Sequence, residues 1–365
     1  MSIKVSFDIF KLAQVFTISR GSRTEAEVLT VKITKNGVTG WGECVPYARY
    51  NETLQSVEKQ INDLSAEVDR TSLLDELPAG AARNAVDCAL WDLESKLKNK
   101  RVWQLLGLKN PEPQITAFTL SLGSPENMYK QASENAYRPL LKTKLGGGEE
   151  DVARIEKVRL GAPNARIIVD ANEGWSPELY KELAPVLLRL GVEMVEQPFP
   201  SETDEAILEI ERDLPVCADE SCHDRQSLEA ISGKYDIINI KLDKTGGLTE
   251  AIALRSEAQK AGYKIMVGCM VGSSLAMAPA TLIAQGVDFV EAEHDGYKKI
   301  GVSHLRRFSI DKSLVQIKDI IVNDSNYNQT AYFHLHPSFK NLIINDHSII
   351  IENIITMIFI GTNVM

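Results

Sequence analysis

Charged residues recur at the ends of short apolar runs in the middle of the chain, and this recurrence most constrains the fold. Successive members lie 26, 26, 23 and 22 positions apart, and an amphipathic helical pattern follows most of the runs. Such alternation of strand and helix predicts parallel strands joined by right-handed crossovers. The five charged residues are Lys144, Asp170, Glu196, Asp219 and Lys241.

The same rhythm predicts eight strands within residues 111–300, and therefore an α/β fold of the (β/α)8 type, a modified TIM barrel. A doubly wound open sheet is the alternative. No G-x-G-x-x-G follows a strand and no P-loop occurs, so the nucleotide-binding form of that sheet has little support. The predicted strands are 115–122, 140–145, 166–170, 194–196, 215–219, 237–242, 264–267 and 288–292.

Residues 1–110 differ in pattern from the barrel and predict a separate α+β domain. Alternating strands are expected at 3–9 and 26–35, with a turn at Asn36-Gly37 before a third strand. A helical period then runs through 52–98. Two prolines between Lys109 and Pro113 indicate a linker.

Composition excludes several classes of function. The net charge of −10 and the pI near 5.3 argue against nucleic acid and against an anionic membrane surface as partners. No apolar run reaches the length of a membrane span. The five cysteines are widely spaced and form no C-x-x-C, which is typical of a reducing compartment. Since the N-terminus does not resemble a signal peptide, a cytoplasmic location is expected.

The three strand-end acids predict a metal site if the strands close into a barrel. Buried carboxylates repel one another unless they are paired or bind a cation. An all-oxygen ligand set favours Mg²⁺ over Zn²⁺. Taken singly, each acid could instead cap the helix that follows it. Because three acids share one spacing between two lysines, we expect Asp170, Glu196 and Asp219 to bind Mg²⁺.

The flanking lysines suggest acid/base chemistry. Lys144 and Lys241 fall on the second and sixth predicted strands, which face each other across an eight-stranded barrel. Desolvation and a nearby cation would lower a lysine pKa and make the amine a usable base. Taken alone, Lys142 is better explained as an exposed strand-end lysine.

Two opposed amines and a Mg²⁺ ion define a reaction class. A carbon acid beside a carboxylate is hard to deprotonate, and a metal that holds the carboxylate oxygens stabilises the resulting enediolate. One lysine removes the α-proton and the other returns a proton from the opposite face. The expected reaction is therefore racemisation or epimerisation by a two-base 1,1-proton transfer, since elimination needs one base only.

Five motifs resemble the enolase superfamily, in its muconate lactonizing subgroup: K-T-K (142–144), I-V-D-A-N (168–172), V-E-Q-P (195–198), C-A-D-E-S (217–221) and N-I-K-L-D-K-T-G-G-L (239–248). Within that subgroup the chain is most similar to the L-Ala-D/L-Glu epimerases, the dipeptide epimerases. The N-terminal runs 20–26, 42–50 and 78–93 match the same family, and the resemblance covers roughly residues 1–290.

The resemblance implies an N-terminal α+β capping domain over a modified barrel and a small dipeptide as substrate, of the kind released from murein. It assigns the Mg²⁺ ligands to Asp170, Glu196 and Asp219 and the acid/base pair to Lys144 and Lys241. It also hints at a homo-oligomer.

Other roles follow from the resemblance alone. Lys142 would neutralise the substrate carboxylate, and Asn172 and Glu220 would support the metal ligands. The family's specificity loops correspond to residues 16–24 and 44–53, where Arg20 and Arg23 could hold the side-chain carboxylate of a Glu-containing dipeptide. Surface arginines are the alternative.

The end of strand eight departs from the family. An Asp-x-Asp that grips the dipeptide ammonium is replaced by acids at Glu291, Glu293 and Asp295. Either Glu291 with Glu293 or Glu293 with Asp295 could substitute, because acids two apart share a strand face. Other enzymes of the subgroup (N-acylamino acid racemase, o-succinylbenzoate synthase or cycloisomerase) and a non-catalytic binding protein therefore remain alternatives.

The last segment, 301–365, is an atypical tail rich in asparagine and isoleucine, with one glycine and one proline between positions 302 and 365. A translated wrong reading frame is one hypothesis for it, and a divergent C-terminal extension is the other.

Overall fold

The computed structural model describes residues 1–65 and 67–291, and the strand segments 302–311, 314–323, 342–345, 348–351 and 355–358. The chain forms two compact units, Met1–Gly296 and Tyr297–Met365. Among the helices described, none is long and apolar enough to cross a membrane.

The first unit begins with a three-stranded antiparallel sheet, ordered β1 (Ser2–Ile18), β2 (Gly21–Lys35) and β3 (Val38–Cys44). The helices that follow are α1 (Leu54–Asn62), α2 (Leu73–Glu76), α3 (Ala81–Leu97) and α4 (Val102–Leu105). The buried side chains of β2 and α3 form the core of this α+β layer, which is the capping domain expected from the sequence.

Helix α3 packs unusually close to β3 because the strand carries glycines where the helix crosses it. A Cβ at Gly42 would lie 2.0 Å from the carbonyl oxygen of Ala85, and one at Gly40 would lie 2.1 Å from that of Ala89. No other residue type fits at such a distance. The close approach holds the helix and the sheet in one fixed relation.

Eight parallel strands follow in consecutive order, from β4 to β11. They are β4 (Phe118–Leu120), β5 (Leu140–Lys144), β6 (Arg166–Asp170), β7 (Val192–Glu196), β8 (Val216–Ala218), β9 (Ile237–Ile240), β10 (Lys264–Val267) and β11 (Phe289–Val290). The intervening helices are α5 (Pro125–Glu134), α6 (Asp151–Gly161), α7 (Pro177–Arg189), α8 (Ser227–Ala230), α9 (Leu242–Thr245), α10 (Leu248–Lys260) and α11 (Ser274–Ile283).

The sheet curls so that its first and last strands meet. The backbone N–H of Ala117, just before β4, donates to the carbonyl oxygen of Val290 in β11 at 2.6 Å. This confirms the predicted (β/α)8-type fold and excludes the open sheet, whose outer strands would lie apart.

The second unit is described by its strands alone. Strands β12 (Val302–Asp311) and β13 (Leu314–Asn323) form an antiparallel hairpin, and β14 (Leu342–Asn345), β15 (Ser348–Ile351) and β16 (Ile355–Ile358) form an antiparallel sheet. The origin of this segment's composition stays a hypothesis.

Candidate active site

The side chains at the barrel mouth are placed by the two-residue period of the strands. A closed apolar layer fills the barrel interior with one residue from each strand or its immediate flank: Ala117, Leu140, Ile168, Met194, Cys217, Ile237, Met266 and Phe289. Two residues further along a strand, the side chain points to the same face. The residues at that next level include Lys142, Asp170, Glu196, Asp219, Asn239 and Glu291. The barrel mouth is therefore polar because these charged and amide side chains follow the apolar layer by two residues on the same strand face.

Lys142 lies at the centre of this polar layer. Its Nζ is 3.0 Å from Asp170 Oδ2, 2.7 Å from Glu196 Oε2 and 2.7 Å from Glu291 Oε2. The side chain is 1% exposed, so the lysine is a core residue and not the exposed strand-end lysine that the residue pattern alone favoured. Thr119 Oγ1 donates to the other Glu291 oxygen at 2.7 Å.

Lys144 and Lys241 each contact one acid of the layer. Lys144 Nζ donates to Asp170 Oδ2 at 2.6 Å, and Lys241 Nζ donates to Asp219 Oδ2 at 2.5 Å. Lys144 ends the second barrel strand and Lys241 follows the sixth, so three strands separate them in either direction around the barrel. The ring of Phe16 from the capping domain lies 5.9 Å from Lys144 Nζ.

The charges in this layer shift each other's pKa values. Burial alone would lower the pKa of Lys142, but Asp170, Glu196 and Glu291 outweigh it and raise that pKa well above its usual value. Lys241 follows the same pattern, with Asp219 as the main opposing charge. The sequence predicted a lowered pKa for Lys241 beside a cation; as the residues stand, the carboxylates raise it instead. Lowering requires a cation that takes up the carboxylate charge.

The acids respond in two ways. Burial opposes ionisation of Asp170 and Asp219, but adjacent lysines hold the pKa of both below the usual range. Burial, followed by the charge of Asp170, raises the pKa of Glu196 to about 8. Glu196 is thus the acid whose charge is least compensated.

The acids fit a divalent cation by their chemistry. Glu196 Oε2 is 2.7 Å from Lys142 Nζ and Asp219 Oδ1 is 2.8 Å from Lys244 Nζ, yet neither oxygen is in hydrogen-bond geometry. Both are buried and retain capacity to bind a cation. As the described residues stand, no three His, Cys, Asp or Glu side chains converge closely enough to enclose an ion. Lys142 lies against two of the acids, so ion binding requires a local adjustment.

A cavity of about 390 Å³ lies over the layer and is covered by the capping domain. Lys142, Lys144 and Lys241 line its barrel side, and the segments 16–24 and 44–53 line its other side. Cys269 and Met270, which follow β10, also line the cavity.

The two arginines of the segment 16–24 have different environments. Arg20 donates to Glu220 at 2.7 Å, to Glu173 at 3.0 Å, to Tyr47 at 3.2 Å and to the carbonyl oxygen of Asn172 at 2.9 Å. Arg23 is exposed, lines the cavity and lies 5.2 Å from the centre of the Tyr47 ring. Arg20 therefore has its hydrogen-bonding capacity committed within the protein.

Asn172 and Glu220 line the cavity beside the acid strands. Asn172 Oδ1 and Glu220 Oε2 are buried without a hydrogen-bond partner among the described residues. Burial, together with the charge of Asp219, raises the pKa of Glu220 to about 7. Of the strand-eight acids, Glu291 lines the cavity, whereas Glu293 and Asp295 lie outside the described residues.

Sequence reasoning assigned no role to Lys244. This lysine is fully buried and donates to the carbonyl oxygens of Asp219, Cys222 and Asn239, besides its contact with the Asp219 carboxylate. Lys244 contacts Asp219 Oδ1, whereas Lys241 contacts Oδ2 of the same carboxylate. Its position one helical turn after Lys241 is the only signal that the sequence offered.

Gln197 is a second residue that sequence reasoning left without a role. Its Oε1 accepts from the backbone N–H of Asp219 at 2.8 Å and from that of Ser221 at 3.1 Å. The side chain joins the loop after Glu196 to the loop that carries Asp219. No spacing rule in the sequence indicates such a contact.

Family models match most of the chain. The mandelate racemase / muconate lactonizing enzyme N-terminal domain matches residues 2–107, and the enolase C-terminal domain-like model matches residues 127–324.

Individual relatives agree with these models. L-Ala-D/L-Glu epimerase of Escherichia coli (strain K12) is 41% identical over 314 residues, which covers 84% of this chain and 98% of that protein. N-acetyl-D-glutamate racemase of Pseudoalteromonas sp is 43% identical over 272 residues, with 73% of this chain and 86% of that protein covered.

Solved structures give the same result. An enolase family member from Agrobacterium tumefaciens with homology to dipeptide epimerases, solved with sodium and L-Ala-L-Glu, has a TM-score of 0.77 at 46% identity and covers 79% of this chain and 90% of its own. Dipeptide epimerase from Enterococcus faecalis V583, complexed with Mg and L-Leu-L-Tyr, has a TM-score of 0.73 at 28% identity, with 79% and 88% covered.

The relatives are named as epimerases and racemases, which are isomerases, so a non-catalytic binding protein is not supported. From the two family models, the barrel under its capping domain and these relatives, we conclude that the chain belongs to the enolase superfamily and to its dipeptide epimerases.

Proposed function

We propose that this chain epimerises dipeptides of the L-Ala-D/L-Glu type by a two-base 1,1-proton transfer through an enediolate. The observation that carries the proposal is the pair of ammonium groups on the second and sixth strands, Lys144 and Lys241, on either side of a buried carboxylate layer. Two bases so arranged can reach opposite faces of one carbon. A single-base reaction would need only one of them.

Asp170, Glu196 and Asp219 would hold a Mg²⁺ ion, which when bound neutralises charge that develops on the substrate carboxylate. Lys142, fully buried beside two of these acids, would add a fixed positive charge at the same place. Lys144 and Lys241 would each remove or return the α-proton at Nζ. The capping segments over the cavity would exclude water from it.

Arg23 would bind the side-chain carboxylate of the glutamyl residue. It reaches the cavity from the capping domain and, among the described residues, forms no salt bridge with a carboxylate. Arg20 was predicted for the same task but is committed to Glu220 and Glu173.

A second candidate substrate is an N-acylglutamate, which lacks the free ammonium of a dipeptide. Two observations favour it: Glu291, which lines the cavity, is already paired with Lys142 and Thr119, and one relative is named N-acetyl-D-glutamate racemase. Both substrates share a glutamate carboxylate, so Arg23 would serve either.

The test is proton exchange in D₂O with Mg²⁺, offered separately L-Ala-L-Glu and N-acetyl-L-glutamate. We expect deuterium at the glutamate α-carbon together with inversion, detected by NMR and chiral chromatography. Exchange on N-acetylglutamate alone would select the second candidate. Failure on both substrates would contradict the proposal.

Single variants test the two-base scheme. We expect Lys144→Ala and Lys241→Ala each to lower the rate of inversion at least ~10²-fold, the usual contribution of a positioned acid or base. Each variant should retain exchange with at most one epimer. Lys157→Ala, which removes a partly exposed lysine on α6, is the matched control. Epimerisation at the parent rate in either active-site variant would exclude two bases.

A further inference from the structure

Both capping segments that cover the cavity are fastened to one residue of the barrel, Glu173. We call residues 16–24 the hairpin tip and residues 44–53 the second capping loop. Arg20 of the tip donates to Glu173 Oε2 at 3.0 Å. Arg49 of the second loop forms a fork on the same carboxylate, with Nε 3.0 Å from Oε2 and Nη2 2.9 Å from Oε1.

The carboxylate of Glu173 is held in place from the barrel side as well. Its side chain is 7% exposed, and the backbone N–H of Ser201 donates to Oε1 at 2.9 Å. A buried carboxylate with four donors on its two oxygens is fully satisfied and has one geometry. Charge-assisted hydrogen bonds of this kind are stronger than neutral ones.

The backbone that presents Glu173 adopts an unfavourable conformation. Asn172 and Glu173 have φ values of 46° and 64°, in the left-handed region that residues other than glycine seldom occupy. The Glu173 N–H donates to the carbonyl oxygen of Gln197 at 2.8 Å, which holds the turn. Backbone strain kept in place by surrounding contacts is characteristic of functional positions.

The turn also binds the tip directly. Ser19 Oγ and Arg20 Nη1 both donate to the carbonyl oxygen of Asn172, at 3.0 and 2.9 Å. Since Glu173 lies three residues after Asp170, the anchor belongs to the loop that follows an acid strand. Glu173 itself is not among the residues that line the cavity.

We infer that Glu173 is a positioning residue that latches the hairpin tip and the second capping loop together over the cavity. The two segments contribute Ile18, Arg23, Val45, Tyr47 and Tyr50 to the cavity wall. Loss of the Glu173 contacts would let the two capping segments move away from the cavity. The active-site lysines and acids would keep their positions, because they belong to the barrel strands. The inference rests on the proposed function only where it predicts how the loss of Glu173 changes catalysis.

The experiment is hydrogen–deuterium exchange with mass spectrometry on the full chain. Glu173→Gln keeps the shape of the side chain and removes its charge. We expect amides of both capping segments to exchange about tenfold faster or more, because buried hydrogen bonds to a charged group are lost. Glu202→Gln is the control: it removes an Arg49 partner that is 63% exposed and should change neither segment.

Exchange that is unchanged in both segments of Glu173→Gln, or faster in only one, overturns the inference. Should that variant fail to fold, Arg20→Lys and Arg49→Lys test the contact of each capping segment with Glu173 separately. Each is expected to loosen its own segment and to leave the other protected through the remaining arginine. If both arginine variants keep the exchange rates of the parent chain in both segments, the inference is also refuted.

Kinetics give a readout that a general loss of structure would not. With L-Ala-L-Glu we expect KM to rise about tenfold and kcat to stay within about threefold, because uniform binding is lost and chemistry is kept. A fall in kcat with unchanged KM contradicts the inference. Exchange protection is read without substrate, so a wrong substrate leaves the latch test intact.

Discussion

At the scale of single residues, charge partners decide what each side chain can do. Arg20 and Arg23 lie three positions apart on one hairpin, yet Arg20 has two carboxylate partners and Arg23 lies against a tyrosine ring. A guanidinium that faces a cavity without a carboxylate partner is suited to bind one from a ligand.

We therefore predict that Arg23→Met removes the preference for an acidic side chain. The ratio of kcat/KM for L-Ala-L-Glu to that for L-Ala-L-Gln should fall about 10- to 100-fold, the usual worth of a hydrogen bond to a charged group. Arg23→Lys retains the charge and should recover part of the ratio. An unchanged ratio in Arg23→Met would show that another residue reads the carboxylate.

The site residues that could be predicted from the sequence are those that recur once per βα unit, at the ends of strands. Lys144, Asp170 and Glu196 each end a strand one βα unit after the previous one, so spacing along the chain reports proximity in space. Lys244 and Glu173 have no such period. Their partners come from distant loops, and only the folded backbone brings those loops near.

At the scale of secondary structure, the strands were predicted better in position than in length. The strand expected at 115–122 is observed as Phe118–Leu120, whereas the strand expected at 3–9 extends to Ile18. The register of β1 against β2 shifts between Lys11 and Phe16, which interrupts the alternation that sequence reasoning relies on. The hairpin tip is thus partly strand, which a loop assignment did not foresee.

The contact between β3 and α3 yields a prediction about stability. We expect Gly42→Ala to lower the free energy of unfolding by roughly 1–3 kcal/mol or more, because its Cβ would overlap the helix backbone. Gly148→Ala is the control, since its nearest neighbour would be 4.0 Å away. Thermal unfolding followed by circular dichroism measures both. Equal melting temperatures would mean that helix and strand separate freely.

At the scale of the whole first unit, the capping domain and the barrel meet at a buried acid. Asp243, in α9, accepts from the backbone N–H of Val45 at 3.0 Å and from Asn84 Nδ2 at 2.9 Å. Burial raises the pKa of Asp243 to about 7, and the charges of Glu52 and Glu43 add to the rise. The interface between the two layers therefore contains a carboxyl group that titrates near neutrality.

The direction of the pH effect follows from linkage. An unfolded aspartate has a pKa of about 3.9, so the folded chain binds the proton more tightly than the unfolded chain does. Stability contributed by the protonated form is fully present below about pH 4 and is lost as the pH rises to about 7. The loss is on the order of a few kcal/mol, at about 1.4 kcal/mol per pKa unit.

Asp243→Asn cannot lose that proton and keeps an oxygen for both donors. We predict that the free energy of unfolding of this variant, relative to the parent chain, rises between pH 5 and pH 8 in urea titrations. Glu196 and Glu220 titrate in both chains, so the difference between the two curves isolates Asp243. Asp63→Asn, which removes a carboxylate that is 63% exposed, should give a curve parallel to the parent. Parallel curves for Asp243→Asn would show that the carboxyl ionises without cost and that the interface is open to water.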